Sequence, residues 1–147
     1  MDAFSKKIES KFNSSFPQWA EYFGPAEYEG VTVFEARVPS PSNGQDSLLI
    51  LDTFEQEVTV SFDSYHIHCD DFGNNNAYED AQEFILRIIS NEYAVVSYWR
   101  EFKWCGSEIV AISNLPRDNS EYPYANIVKV RTWSGAQDKE ITCVPRD

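Results

Sequence analysis

Two histidines separated by one residue are the first group in this sequence whose types and spacing could do chemistry. His66 and His68 are the only histidines. They lie in a strand-like stretch, where residues two apart project from one face about 6–7 Å from each other. Two imidazoles so placed can share a metal ion if a carboxylate or thiolate completes the site. Because this spacing is common by chance, a hydrogen-bonded structural or interface role is favoured, and metal binding is the alternative.

Cys105, in the stretch Trp-Cys-Gly-Ser, is the second candidate. It is predicted to lie in a strand, not at a helix N-terminus where the pKa of a cysteine falls. The sequence has neither the nucleophile elbow G-x-S-x-G nor the phosphate loop G-x-x-x-x-G-K. Cys105 is therefore interpreted as a small buried hydrophobic residue. We expect no catalytic residue and no cofactor, and predict that the protein is not an enzyme.

The acidic residues form a third candidate because of how they are distributed. The formal net charge is −12, and residues 38–86 contain no Lys or Arg. The ten acids of this segment, called the acidic block below, are Asp46, Asp52, Glu55, Glu57, Asp63, Asp70, Asp71, Glu79, Asp80 and Glu83. Such a charge disfavours direct binding of nucleic acid or an anionic membrane. It favours either solubility alone or a basic protein partner.

The strand that must position the histidines has an interrupted pattern. Over residues 57–63, Val58, Val60 and Phe62 alternate strictly with polar residues, which is typical of a half-buried strand. Continuing the same phase would bury His66 and His68. Either a β-bulge at residues 63–65 restores the pattern, or the histidines face something other than the core.

Periodicity over the rest of the chain predicts the fold class. Helical patterns cover residues 2–12 and 77–90, and a second short helix begins near Pro17. The predicted strands are 31–38, 47–52, 57–63, 93–100, 103–112, 125–133 and 139–144. We therefore predict one α+β domain, 1–147, with a largely antiparallel sheet of about six to seven strands, one long internal helix and N-terminal helices.

The cellular location is predicted from the cysteines, the first residues and the apolar stretches of the chain. Its three cysteines are far apart without a C-x-x-C pair, a pattern typical of free thiols in a reducing compartment. The first residues lack the apolar core of a signal peptide. No apolar stretch has the length of a membrane span. We expect a cytoplasmic protein that does not interact with a membrane.

Three stretches together resemble a known family. They are EVTVSFDSYHIH (57–68), DAQEFILRII (80–89) and WCGS (104–107), and the likeness covers roughly residues 55–112. They resemble the small immunity proteins of bacterial polymorphic-toxin and contact-dependent growth inhibition systems. The resemblance implies a cytoplasmic, acidic α+β protein that binds and neutralises a toxin domain, often a nuclease. Because binding residues in such proteins vary between pairs, it implies no site by position.

These observations combine into one functional prediction, an immunity protein that occludes the active site of a cognate, basic toxin domain. A nuclease toxin must be basic to hold phosphates, so an acidic inhibitor is complementary to it. The residues predicted to steer the partner are Glu55, Glu57, Asp63, Asp70, Asp71 and Asp80. The predicted central contacts are Tyr65, His66, His68 and Phe72. The alternatives are a small metal-dependent enzyme using His66 and His68, and an acidic nucleic-acid mimic that inhibits a DNA-binding protein.

Overall fold

The structure is a computed structural model that describes residues 1–42 and 47–146. Its fold is α+β, as the sequence predicts, with two antiparallel sheets and a few helices. One acid of the acidic block, Asp46, lies outside the described residues, as do residues 43–44 of the predicted loop at 39–44. Within the described ranges, no helix has the length and apolar character needed to cross a membrane.

The chain packs as two compact units. The first comprises Met1–Pro39, Leu48–Phe62 and His66–Ile85, and it contains most of a five-stranded sheet. The second contains Asp63–Tyr65 and the chain from Leu86 onward, and it holds a four-stranded sheet. The assignment of residues 1–147 to a single domain stays a prediction.

The five-stranded sheet is a meander, in which strands that follow one another in sequence are neighbours in the sheet. Its strands are β1 (Phe23–Tyr28), β2 (Val31–Pro39), β3 (Leu48–Asp52), β4 (Val58–Phe62) and β5 (Tyr65–Cys69). The described residues form two α-helices, α1 (Ala3–Ser15) and α2 (Ala77–Ile89), and a 3-10 helix, Pro17–Tyr22, follows α1. The predicted N-terminal helices and long internal helix are therefore confirmed.

Period-two alternation gives this sheet one apolar face. Its fully or nearly fully buried side chains are Phe34, Ala36, Val38, Leu49, Leu51, Val58, Val60 and Phe62. Helix α1 packs on this face through Phe12, whose ring centroid lies 6.3 Å from that of Phe34. Helix α2 contributes the buried Ile85, which lines a small cavity together with Leu51. Because burying one such large side chain contributes roughly 1.5–3 kcal/mol, this layer anchors the unit.

Both α-helices begin with a side-chain cap. The Asp2 carboxylate accepts a hydrogen bond from the Ser5 backbone N–H at 2.7 Å, at the start of α1. The Asn76 side chain accepts one from the Glu79 N–H at 2.9 Å, at the start of α2. Such a cap pairs an N–H group that the first helical turn leaves without a partner.

The prediction of one sheet with six to seven strands is wrong in detail. All seven predicted strands occur, but the described chain has nine strands divided between two sheets. One added strand is β1, which forms where Gly24-Pro25 suggests the end of a helix. Pro25 is tolerated there because β1 is an edge strand, in which a missing N–H removes no essential ladder bond.

The other added strand, β5, results from a chain reversal. Strand β4 ends at Phe62 and β5 begins at Tyr65, so Asp63 and Ser64 form a two-residue turn. Asp63 has a φ of 54°, in the left-handed region that tight hairpin turns use. Of the two alternatives, the β-bulge at residues 63–65 does not occur, and the histidines face away from the core. The turn changes which alternate residues face the core. Cys69 is therefore buried in β5, and the two histidines are exposed.

The four-stranded sheet is antiparallel, with the order β7-β6-β8-β9. Its strands are β6 (Tyr93–Arg100), β7 (Lys103–Ala111), β8 (Ile127–Arg131) and β9 (Lys139–Thr142). The predicted hairpin between β6 and β7 is confirmed. Its turn residues Glu101 and Phe102 have φ angles of 49° and 68°. Side chains of β6 and β8 form a buried cluster that includes Ala94, Val96, Tyr98, Val128 and Val130.

Candidate functional site

The polar face of the five-stranded sheet carries a row of side chains that crosses four strands. Glu35 of β2 pairs in register with Asp52 of β3, which pairs with Thr59 of β4. The Thr59 hydroxyl lies 3.0 Å from Nδ1 of His68 on β5. We call Glu35, Asp52, Thr59 and His68 the polar row. Antiparallel register brings these residues together although they are far apart in the sequence.

A carboxylate holds the imidazole at the end of the polar row. Nδ1 of His68 lies 2.8 Å from Oε1 of Glu57, and the His68 side chain is 52% exposed. An ionised carboxylate can only accept a hydrogen bond, so Nδ1 of His68 is the donor to Glu57. The second ring nitrogen, Nε2, remains available to other partners. The ring of His66 stands perpendicular to that of His68, with 5.1 Å between ring centroids. Of the predicted residues, the structure thus brings together Glu57, His66 and His68.

Three residues near this cluster were not predicted as site residues, namely Tyr28, Glu35 and Asp52. The Tyr28 hydroxyl donates to the Glu35 carboxylate. Burial, then this hydrogen bond and the negative charge of Glu35, raise the pKa of Tyr28. Burial also raises the pKa of Asp52, although the Phe54 N–H donates to its carboxylate at 3.0 Å and favours the charged form. Strand alternation in the sequence indicates that Glu35 and Asp52 are polar-face residues, but it does not give their register.

The polar row and its neighbours combine carboxylates, imidazoles and a phenol. The carboxylates accept hydrogen bonds and present negative charge, whereas the phenol donates to Glu35 and the imidazoles can donate or accept. In the part of the chain that the structure describes, no group of three or more His, Cys, Asp or Glu side chains is arranged to hold a metal ion. The rings of His66 and His68 lie side by side and Glu57 contacts His68, but these three side chains are not arranged to hold a metal ion.

A second cluster of predicted residues lies in the loop before α2. The Asp70 carboxylate accepts hydrogen bonds from the Asn75 side chain and the Phe72 N–H, each at 3.0 Å. The Asp71 carboxylate accepts one from the Ala77 N–H at 2.8 Å. These bonds lower the pKa of Asp70 and Asp71. Both carboxylates therefore stay ionised well into the acidic range.

The same loop exposes an aromatic side chain beside a cleft. Phe72 is 80% exposed. The cleft has a volume of about 240 Å³ and is lined by Phe4, Gln56, Asp71 and Phe72. We call it the aromatic cleft. Two of its four lining residues, Asp71 and Phe72, are predicted partner contacts, whereas Phe4 and Gln56 were not, because only folding brings them beside this loop.

The remaining predicted residues occupy separate elements. Glu55 is exposed in the 3-10 helix Phe54–Gln56. Asp63 is exposed in the turn between β4 and β5, and Tyr65 is half-buried at the start of β5. Asp80 is exposed in the first turn of α2. Their roles in partner binding stay predictions.

No protein-family model, curated protein or solved structure matches this chain. The functional assignment therefore rests on the charges and contacts of the chain itself.

Proposed function

We propose that this protein is an immunity protein that binds a cognate toxin domain, basic and of the nuclease type, and neutralises it by occluding its active site. The observation that carries the proposal is the acidic block, whose ten acids lie in a segment without one Lys or Arg. A patterned charge of this kind steers a basic partner and raises its association rate. A charge needed only for solubility would not have to be segregated in this way.

The structure contributes exposed groups that suit a protein interface. Several acids of the block project into solvent, and the exposed ones include Glu55, Asp63, Asp71, Glu79, Asp80 and Glu83. Phe72 adds a large apolar surface among them. Interfaces combine aromatic anchors, which supply binding energy, with charges that set the rate and specificity of association. Acids and an exposed aromatic residue together therefore support a protein partner.

The proposed place of action is the bacterial cytoplasm. All three cysteines, Cys69, Cys105 and Cys143, are free thiols. Free thiols are typical of proteins kept in a reducing compartment. A metal-dependent enzyme is less well supported, because His66, His68 and the neighbouring Glu57 are not arranged to hold a metal ion. A nucleic-acid mimic would differ from an immunity protein in its partner, which would be a DNA-binding protein of the host.

The proposal predicts that a toxin domain is encoded next to the gene for this chain, and that domain provides the test. We expect that domain to stop bacterial growth when it is expressed alone, and co-expression of this protein to restore growth. The association rate constant of the purified pair should fall at least about tenfold between 20 mM and 500 mM NaCl, since charge steering is screened by salt.

Two variants of equal net charge provide the matched control. The block variant carries Glu55→Gln, Glu57→Gln and Asp80→Asn, and the control variant carries Glu21→Gln, Glu92→Gln and Glu121→Gln. Each removes three charges, so both have a net charge of −12 + 3 = −9. We expect slower association for the block variant only. Equal slowing by both variants, or an association rate independent of salt, would contradict the proposal.

A further inference from the structure

The aromatic cleft has the groups that a cationic side chain needs. Phe4 and Phe72 are its two aromatic lining residues, and Asp71 adds a carboxylate. Aromatic faces attract a cation through their quadrupole, and a carboxylate adds a charge-assisted hydrogen bond. The cleft opens to solvent beside Phe72, which is one of the most exposed large apolar side chains in the described chain.

The ammonium group of Lys7 already contacts two of the residues that line the aromatic cleft. Nζ of Lys7 lies 5.4 Å from the centroid of the Phe4 ring and 3.2 Å from Oδ2 of Asp71. The two side chains of this ion pair are 49% and 44% exposed. Exposed pairs of this kind contribute little to stability, so a cation from another molecule can displace Lys7 at small cost.

Two other contacts preorganise the cleft. The second oxygen of Asp71 accepts the Ala77 N–H at 2.8 Å, which fixes the carboxylate against the start of α2. The Gln56 side-chain amide donates to Asp2 at 2.8 Å, so the Gln56 carbonyl oxygen is the atom left to accept from a ligand. A ligand with several N–H donors and a flat cationic face suits this set of groups.

We propose that the aromatic cleft is a docking site for an arginine side chain of a protein partner, with the guanidinium stacked on Phe72 and Phe4 and hydrogen-bonded to Asp71. Arginine fits better than lysine because its planar guanidinium stacks on aromatic rings and offers donors in a fixed fork. The inference rests on the proposed function for the identity of the partner, since a basic toxin supplies such side chains. The cleft chemistry can be tested without the toxin.

The test uses the tripeptide acetyl-Gly-Arg-Gly-amide as the probe, with the lysine and citrulline tripeptides as matched controls. Nuclear magnetic resonance titration of the whole protein should show saturable shifts at the Gln56 side-chain amide and at the backbone amides of Asp71 and Phe72. We expect millimolar binding of the arginine peptide, weaker binding of the lysine peptide and no saturable binding of the neutral citrulline peptide.

Three variants test whether binding of the arginine peptide depends on the aromatic cleft. Phe72→Ala should weaken binding of the arginine peptide about two- to fivefold, in line with the loss of one exposed cation–π contact. Phe102→Ala removes an even more exposed aromatic residue, 94% accessible and outside the cleft, and should leave binding unchanged. Lys7→Met removes the competing ammonium and should tighten binding about threefold, because an exposed ion pair is weak.

The outcomes separate this inference from the proposed function. Shifts spread evenly over the acidic block, with Phe72→Ala binding as tightly as the unmodified protein, would overturn the arginine site. So would equal binding of the citrulline peptide. If the arginine peptide binds as expected but the neighbouring toxin is not neutralised, the cleft assignment stands and the immunity function fails.

Discussion

At the scale of single residues, Phe102 combines two unfavourable features. It lies in the two-residue turn between β6 and β7 with a φ of 68°, and its side chain is 94% exposed. Left-handed backbone costs most residues other than glycine roughly 1–2 kcal/mol, and this exposed ring gains little packing in return. We expect Phe102→Gly to raise the free energy of unfolding by about 0.5–1 kcal/mol, after the larger chain entropy of glycine is subtracted.

Urea denaturation of the two proteins measures this difference, and Phe102→Ala is its control. Alanine removes the ring but keeps the Cβ atom that makes left-handed backbone unfavourable. The alanine variant should therefore show little of the gain in the free energy of unfolding that we expect for Phe102→Gly. An equal gain for alanine and glycine would mean that the exposed ring, not the backbone conformation, destabilises the turn.

At the scale of elements, the polar row couples stability to pH through Asp52. Burial of this carboxyl raises its pKa, so the folded protein binds the Asp52 proton more tightly than the unfolded chain does. The contribution of Asp52 to stability is therefore most favourable below its unfolded pKa of about 3.9 and is lost as pH rises through the raised folded pKa. Asparagine does not ionise, so Asp52→Asn removes this loss of stability at higher pH. We expect the variant to be more stable than the unmodified protein at pH 7.

The same comparison at pH 4 should show a smaller difference, because Asp52 is then closer to neutral in the unmodified protein. Asparagine retains the side-chain oxygen that accepts the Phe54 N–H, so the local turn is preserved. Glu21→Gln, at an exposed position, should change stability little at either pH. A benefit of Asp52→Asn that does not vary with pH, or a loss of stability at pH 7, would contradict the burial argument.

At the scale of the whole molecule, the net charge of −12 must act on the folded state as well as on a partner. Like charges repel in a compact protein, and salt screens them over a Debye length of about 10 Å at 0.1 M. We expect the free energy of unfolding to rise by on the order of 1 kcal/mol between 20 mM and 500 mM NaCl.

Urea denaturation at the two salt concentrations measures this rise. The block variant, with Glu55→Gln, Glu57→Gln and Asp80→Asn, should show a smaller rise than the control variant of equal net charge. Both variants lack three negative charges, but only the block variant loses them from residues 38–86, the segment without Lys or Arg. Stability that is independent of salt, or that falls with it, would show that self-repulsion is unimportant here.

The sequence alone determined the features that depend on local pattern or on counting. Alternating patterns and short apolar runs predicted seven of the nine strands found in the described residues. The 3.6-residue period predicted α2, and Asn76 was recognised as its cap. The charge segregation of the acidic block needed no structure. These predictions succeed because alternation, capping and composition involve residues that are neighbours in the chain.

Only the tertiary structure decided which distant residues meet. The reversal at Asp63 exposed His66 and His68, and register placed Glu35 beside Asp52. The polar row joins β2, β3, β4 and β5, and the aromatic cleft joins residues 4, 56, 71 and 72. The physical reason is that strand register and helix docking are set by burial of the apolar face, a property of the whole layer that no single stretch of sequence contains.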